Sequence, residues 1–195
     1  MQFNNSLNIF DQNKPRRGEI IVEIIQNVCL TPKGCNYNLI QMAGTYSQIY
    51  LQFVIAVKGR ENLLKKKWRS ELFQYISGII TNKGHKSIIV NGVEDHTHLF
   101  VGFKPAFCIS DLIRDIKNNS TNFINQNKFT LGKFSWLGGY GVFSYSRSHI
   151  ERVYDYIKNQ EAHHSKKSFK DEYISLLKKF QIEYKEEYLF DWIEY

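Results

Sequence analysis

The sequence predicts an α+β fold in which helices pack against an antiparallel sheet. Three observations support this prediction. Hydrophobic residues alternate at the period of a strand in four segments, and they recur at helical spacing in two longer segments. The two kinds of segment follow each other as strand–helix–strand–strand–helix–strand, which is the order of the split βαβ, or ferredoxin-like, arrangement.

The first strand and the first helix are predicted from residues 45–57 and 62–82. The first segment alternates, with Leu51 and Phe53 among its bulky members. The second repeats apolar residues at helical spacing, and Asn62 can cap its amino end.

Residues 85–103 predict a β-hairpin, and a second helix follows it. The dipeptide Asn91-Gly92 is typical of a tight turn between two strands. After the hairpin, Ser110 can cap a helix whose apolar positions run through residues 112–124.

The last third of the chain predicts one more strand and two helical segments. Residues 140–146 form the strand, and the spacing of Ser148 and Glu151 is that of a capping box. This box opens a predicted helix over residues 149–164, and a final helical segment follows over residues 169–180.

Composition divides the chain into two parts. Residues 1–41 are polar and rich in turn-forming residues, whereas the regular alternation of a domain begins just after Met42. We therefore expect an N-terminal extension over residues 1–41 and one domain over residues 42–195. An alternative is that translation starts at Met42 and the extension has no role.

The charge of the chain favours a polyanionic partner. Lys and Arg number 26 against 19 Asp and Glu, a formal net charge of +7, and nucleic acid is the leading candidate. The apolar runs are too short to span a bilayer, and no signal peptide opens the chain. Three cysteines without a CxxC pair suit a reducing compartment, so we expect a cytoplasmic protein without membrane contact.

Two histidines in the predicted hairpin are candidate metal ligands. His96 and His98 are two residues apart on a strand, so both imidazoles point to the same face. Neutral imidazoles are common metal ligands. For an isolated pair of this kind, two partly exposed surface histidines are the alternative.

The helix predicted over residues 149–164 carries a candidate nucleophile. Val153 and Tyr154 fall on its apolar side, while Tyr156, Gln160 and His163 form a neighbouring stripe. A tyrosine can act as a covalent nucleophile, and a glutamine oxygen suits a hard divalent cation. The alternatives are a packing aromatic and a solvated glutamine.

Together these segments resemble a known family, the HUH single-tyrosine transposases of the insertion-sequence 200-like type and their REP-associated relatives. The resemblance is carried by TYSQIYLQFVIAVKGR, DHTHLFVGF, GYGVFSYSRS and YIKNQEAHH, and it covers nearly all of residues 42–195. One departure is Thr97, where the family usually has a hydrophobic residue. Thr97 points away from the two histidines, so it should fit the strand.

The resemblance implies a chemistry for these residues. His96, His98 and Gln160 would hold Mg²⁺ or Mn²⁺, and Tyr156 would attack a DNA phosphate to give a 5′-phosphotyrosine. The substrate would be single-stranded DNA at hairpin-bearing element ends. The family also implies a homodimer whose helices are exchanged, so that the tyrosine and the histidines come from different subunits. His163 and His164 belong to the resemblance without an assigned catalytic role.

Two other functions stay open at this point. One is a site-specific DNA nickase, although the chain has no helicase or large accessory domain. The other is a domesticated nucleic-acid-binding protein without activity, which the presence of all four site residues disfavours. In each case Lys58, Arg60, Arg114 and Lys117 are candidates for phosphate contacts, with solvated surface charges as the alternative.

Overall fold

The computed structural model describes residues 46–60, 63–165, 168–185 and 189. Within these ranges four strands form one sheet in the order β2-β3-β1-β4, and every neighbouring pair is antiparallel. The strands are β1 (Ile49–Ala56), β2 (Lys86–Gly92), β3 (His96–Phe103) and β4 (Gly141–Tyr145). The predicted α+β class and the antiparallel sheet are confirmed.

Five α-helices connect and follow the strands in the described part of the chain. They are α1 (Lys66–Asn82), α2 (Ile109–Gln126), α3 (Ile150–Lys158), α4 (Gln160–His164) and α5 (Phe169–Lys179). None of them is both long enough and apolar enough to cross a bilayer. The predicted boundary between residues 41 and 42 lies outside the described residues and stays a prediction.

One face of the sheet packs against α1 and α2 to form the main core. Strand side chains alternate between faces, so the odd-numbered residues of β1 and β3 share this face. The buried side chains here include Leu51, Phe53, Ile55, Leu99 and Val101 from the sheet, with Leu72, Ile76, Leu112 and Ile116 from the helices. Thr97 is buried on the same side of β3, away from the histidines, as expected.

The opposite face of the sheet is covered by the C-terminal helices. Val54, Ala56 and Phe143 pack against α5, and Phe100 packs against α3. His96 and His98 are paired with Ala56 and Val54 across β1 and β3. Alternation along β3 therefore places both histidines between the sheet and the C-terminal helices. One of these helices is α3, which carries Tyr156.

The contact between α5 and β4 is unusually close at Gly141. A Cβ atom on this glycine would lie 2.9 Å from both Cε2 and Oη of Tyr173, a separation that packed atoms do not tolerate. The absence of a side chain at Gly141 therefore lets the Tyr173 ring of α5 lie directly against the edge strand.

The prediction of a turn at Asn91-Gly92 is wrong. Both residues belong to β2 and pair with His98 and Thr97, and the connection is made by residues 93–95. A type I′ turn needs a positive φ at both central residues. Neither Asn91 nor Gly92 has a positive φ. Instead, Gly92 allows β3 to approach, since a Cβ there would lie 2.3 Å from the His96 carbonyl oxygen.

The predicted caps of the first two helices are also not those of the structure. Helix α1 begins after Lys65, and the predicted cap Asn62 lies outside the described residues. Helix α2 begins after Cys108, so the predicted cap Ser110 lies inside its first turn, where its hydroxyl contacts the Cys108 sulfur at 3.0 Å. Packing of the apolar faces sets where these helices begin, and side-chain capping does not.

The helix predicted over residues 149–164 is two helices. It is broken at Asn159, and the predicted Ser148–Glu151 capping box is not formed, because α3 begins after His149 without a side-chain cap. The amide nitrogen of Asn91 donates to the carbonyl oxygens of Ile157 and Lys158 at 2.8 and 3.0 Å. This long-range cap binds the free carbonyls at the end of α3 and ends the helix there.

Candidate active site

His96 and His98 lie completely buried on β3, with ring centroids 5.0 Å apart. The alternative of two exposed surface histidines is therefore wrong. The Nδ1 atom of His96 donates to the Asp95 carboxylate at 2.7 Å. The Nδ1 atom of His98 lies 2.9 Å from the Gln52 amide nitrogen. Each imidazole is thus held through one nitrogen and offers the other, which is how metal-binding histidines are usually oriented.

The amide of Gln52 connects His98 to a buried tyrosine. Tyr145 donates its hydroxyl proton to Gln52 Oε1 at 2.7 Å, and burial raises the pKa of Tyr145 to about 12. The amide oxygen and nitrogen of Gln52 exchange places on a 180° rotation. In the rotated amide the nitrogen donates to the Tyr145 oxygen and the Gln52 oxygen accepts from His98 Nδ1, so the Nε2 lone pair of His98 is free for a cation.

Gln160 and Tyr156 lie beside this histidine pair in the same chain. Gln160 is completely buried, so the alternative of a solvated glutamine is wrong. Its Nε2 donates to Glu172 Oε1 at 3.1 Å, and the Tyr156 hydroxyl donates to the same oxygen. The Tyr156 ring stands edge-on to His98, with centroids 5.9 Å apart. The structure therefore brings together all four predicted site residues.

Tyr154 does not occupy the position expected for it. It was predicted on the apolar side of the helix with Val153 and Ile157, but 37% of its surface is exposed. Helix α3 buries only a narrow stripe because it is short and covers the edge of the sheet. Tyr154 is therefore not a core residue, and of the two tyrosines of α3 it is Tyr156 whose ring lies against His98 and whose hydroxyl donates to Glu172.

A fifth residue, Glu172 on α5, lies at the centre of the site and was missed from the sequence. It is only 2% exposed. Its Oε1 lies 3.2 Å from His98 Nε2 and its Oε2 lies 3.5 Å from His96 Nε2, while His164 Nε2 also contacts Oε2. The sequence did contain a signal, because Glu172 stands at a buried position of the helical repeat otherwise filled by Phe169, Tyr173 and Leu176.

Burial and neighbouring charges set the protonation of the site. Burial by itself lowers the pKa of His96, but Asp95 and Glu172 outweigh it and raise that pKa to about 9. Burial lowers the pKa of His98, and it lowers the pKa of His164 to about 3. Burial opposes charge on Glu172 as well, yet the two β3 histidines bring its pKa down to about 2. At neutral pH the site therefore contains a protonated His96 between two carboxylates, those of Asp95 and Glu172.

Three atoms of the site fit a bound cation. His96 Nε2, His98 Nε2 and Gln160 Oε1 are buried without a hydrogen-bond partner, which is costly for polar atoms. They are the same three side chains that the sequence predicted as metal ligands. His96, His164 and Glu172 also offer ligand atoms that lie within 4.8 Å of one another. Nitrogen and oxygen donors of this kind suit a divalent cation such as Mn²⁺ or Mg²⁺.

A comparison with known families decides what kind of protein carries this site. The family model described as "Transposase IS200 like" matches residues 45–160, which is more than half of the chain and contains all four predicted site residues. The chain belongs to the IS200-like transposase family.

Two solved structures are similar to this chain. One is a candidate transposase from Deinococcus radiodurans R1, with 22% identity and a TM-score of 0.47, covering 60% of this chain and 94% of that one. The other is a REP-associated tyrosine transposase bound to a REP hairpin, with 15% identity and a TM-score of 0.48, covering 62% of this chain and 71% of that one. No curated protein matches the chain.

A cavity of about 200 Å³ opens beside Tyr156, the candidate nucleophile. Tyr156 and Glu172 belong to its lining, as do the basic side chains of His149, Arg152 and Lys179. An opening with basic side chains attracts anions. The basic residues of this cavity were not singled out in the sequence, because they are spaced as ordinary exposed positions of two helices.

The four basic residues predicted to contact phosphates occupy different environments in the transposase. Lys58 is exposed, and the side chain of Arg60 lies outside the described residues. Arg114 is paired with two aspartates on its own helix. The ammonium group of Lys117 donates to three carbonyl oxygens of residues 137–139, at 2.7, 3.1 and 2.6 Å. Lys117 thus fixes a loop, and burial lowers its pKa to about 8.

Proposed function

We propose that this transposase cleaves and rejoins single-stranded DNA at hairpin-bearing ends, and that Tyr156 is its nucleophile. The observation that supports this proposal is the convergence of Tyr156 with His96, His98 and Gln160 in one buried site. Membership of the transposase family supplies the class of substrate. The form of the DNA ends comes from the resemblance of the motifs to the single-tyrosine type.

The reaction follows from the chemistry of a phenol and a phosphodiester. The Oη atom of Tyr156 attacks phosphorus, a P–Oη bond forms, and the P–O3′ bond breaks. The phenol loses its proton and the departing 3′ oxygen gains one, so the number of protons is unchanged. The 5′ end of the DNA stays on the protein as a phosphotyrosine, and the other end leaves with a free 3′-OH.

Rejoining is the reverse of this step with a different 3′-OH. One phosphodiester is exchanged for a phosphotyrosine of similar energy and then exchanged back, so no nucleotide cofactor is consumed. The residues that would hold a divalent cation are His96, His98 and Gln160, through the three buried atoms without a partner. When bound, Mg²⁺ or Mn²⁺ would polarise the scissile phosphate.

We also propose a homodimer, as the family resemblance implies. In a single chain Tyr156 already lies beside His98, with ring centroids 5.9 Å apart. In a dimer whose sites combine residues of both subunits, α3 of one subunit would therefore have to take the place of α3 in the other, with the contact between Tyr156 and His98 preserved.

Cleavage of a labelled hairpin substrate tests the proposed function. We expect a covalent protein–DNA adduct and a product with a free 3′-OH in Mg²⁺ or Mn²⁺, and neither product in EDTA. His96→Ala should abolish both, while His85→Ala, which removes a buried imidazole outside the site, should leave them. Full cleavage under chelation would contradict the metal role. Cleavage without strand transfer would favour the nickase, and binding without cleavage would favour the non-catalytic protein.

A further inference from the structure

We infer that Glu172 is an anionic ligand of the metal centre, supplied by α5 from outside the segment that defines the family. The family match ends at Gln160, twelve residues before this glutamate. The inference rests on the proposed function, because the cation bound by His96, His98 and Gln160 is part of that proposal. Glu172 changes the ligand set from a neutral one to one that carries a negative charge.

The distances around the Glu172 carboxylate fit a shared cation. Its two oxygens lie 3.2 Å from His98 Nε2 and 3.5 Å from His96 Nε2, but neither pair has hydrogen-bond geometry. Ligands at right angles around a cation at about 2.1 Å are separated by about 3 Å. The histidine nitrogens and the carboxylate oxygens are therefore spaced as neighbouring ligands of one ion.

The surroundings of Glu172 also favour a bound cation. A buried carboxylate is unfavourable unless it is paired or binds a metal. The recorded partners of this carboxylate in the described part of the chain are one tyrosine, one glutamine and three histidines, with no lysine or arginine among them. A divalent cation would supply a positive charge that does not depend on the protonation of an imidazole, as any positive charge among these partners does.

Helix α5 holds the carboxylate in place without help from a ligand. Ser168 caps the helix by accepting a hydrogen bond from the Asp171 backbone nitrogen at 3.2 Å. The ring of Phe169 stacks on His96, with centroids 4.0 Å apart and planes within 14°. The buried side chains that α5 packs against the sheet are Phe169, Tyr173, Leu176 and Leu177.

The competing interpretation is that Glu172 occupies the position of the cation and must leave before a metal binds. Withdrawing α5 would expose the four apolar side chains that it buries, which opposes this interpretation. The two oxygens are also used differently. Oε1 accepts from Tyr156 and Gln160 and also faces His98, whereas Oε2 faces His96 and His164. The carboxylate can therefore bind a cation on one side and keep the tyrosine hydroxyl on the other.

Titration of the full-length protein with Mn²⁺, followed by the electron paramagnetic resonance signal of the free ion, tests the inference. We expect Glu172→Gln to weaken Mn²⁺ binding by at least about tenfold, since even indirect partners of metal ligands cost 10–100-fold. The matched control is Glu151→Gln, on the exposed side of α3, which should bind as the wild type does. Equal or tighter binding by Glu172→Gln would overturn the inference, and tighter binding would favour the competing interpretation.

Amide hydrogen exchange of the wild-type protein is a second test, which does not depend on whether Glu172→Gln folds. If Glu172 is a ligand, Mg²⁺ should slow amide exchange in α5, because the ion ties this helix to β3. Faster exchange in α5 on adding Mg²⁺, or no change at saturation, would overturn the inference. Failure of the proposed function gives a different result, because Mn²⁺ binding would then persist in His96→Ala or be absent from the wild type.

Discussion

Replacing Tyr156 by phenylalanine separates the covalent chemistry from folding and from DNA binding. The substitution removes one hydroxyl and leaves a ring of the same shape. That ring packs edge-on against His98 and His163, with centroids 5.9 and 5.3 Å away, and these contacts need no hydroxyl. The only recorded hydrogen bond of the hydroxyl among the described residues is the one it donates to Glu172.

The expected cost to stability of Tyr156→Phe is small. A hydrogen bond to a charged acceptor contributes about 1.5–3 kcal/mol. Gln160 still donates to the same Glu172 oxygen, so the carboxylate is not left without a donor. We therefore expect the free energy of unfolding to fall by about 1.5 kcal/mol, the lower end of that range. For a chain of this length the melting temperature should fall by about 3–6 °C.

The assay compares Tyr156→Phe with Tyr154→Phe, its matched control on the same helix. Affinity for hairpin DNA should stay within a few-fold of wild type in both, about 1 kcal/mol or less, because phosphate contacts supply most of it. The adduct that resists SDS should vanish in Tyr156→Phe and persist in Tyr154→Phe. The opposite pattern would show that the nucleophile is Tyr154 and that the reasoning from the helix faces is wrong.

Three further predictions concern the support, the protonation and the assembly of the site. Asn91→Ala removes two hydrogen bonds to the end of α3, so the free energy of unfolding by urea should fall by about 2 kcal/mol; an unchanged value would refute the role of this cap. The pKa of His96 is about 9, so below that pH a cation must displace a proton from this imidazole. The affinity for Mg²⁺ should therefore rise between pH 6 and pH 8, by up to about tenfold per pH unit. An affinity that does not change with pH would contradict this. Mixing Tyr156→Phe with His96→Ala protein should restore cleavage if α3 is exchanged in a homodimer, whereas no recovery despite proven mixing of subunits would count against composite sites.

The sheet could be predicted from the sequence because alternation is a local signal that the sheet itself imposes. Residues 45–57 and 85–103 alternate since one face of each strand meets the same core. The same rule placed His96 and His98 on one face. Turns and caps were predicted less well, because Asn91-Gly92 and Ser110 carry local preferences that strand pairing and helix packing override.

The rest of the candidate site depends on contacts between residues that are distant in the chain. Asn91 ends α3 from a strand 66 residues away, and nothing near Asn159 indicates a break. Glu172 is 74 residues from His98, and its role follows only when α5 is folded onto the sheet. An acidic residue at a buried helical position was the available signal, and a single sequence does not reveal its partner.

Gly141 has a consequence for the metal centre although it contains no reactive group. Tyr173, whose ring a Cβ at this position would meet at 2.9 Å, is the chain neighbour of Glu172. A side chain at 141 would meet the tip of this ring, so either Tyr173 would have to turn aside or α5, which carries Glu172, would have to move. The bare backbone at the edge of the sheet thus leaves room for Tyr173, and a residue without any contact to the proposed cation contributes to the packing of the helix that carries its carboxylate ligand.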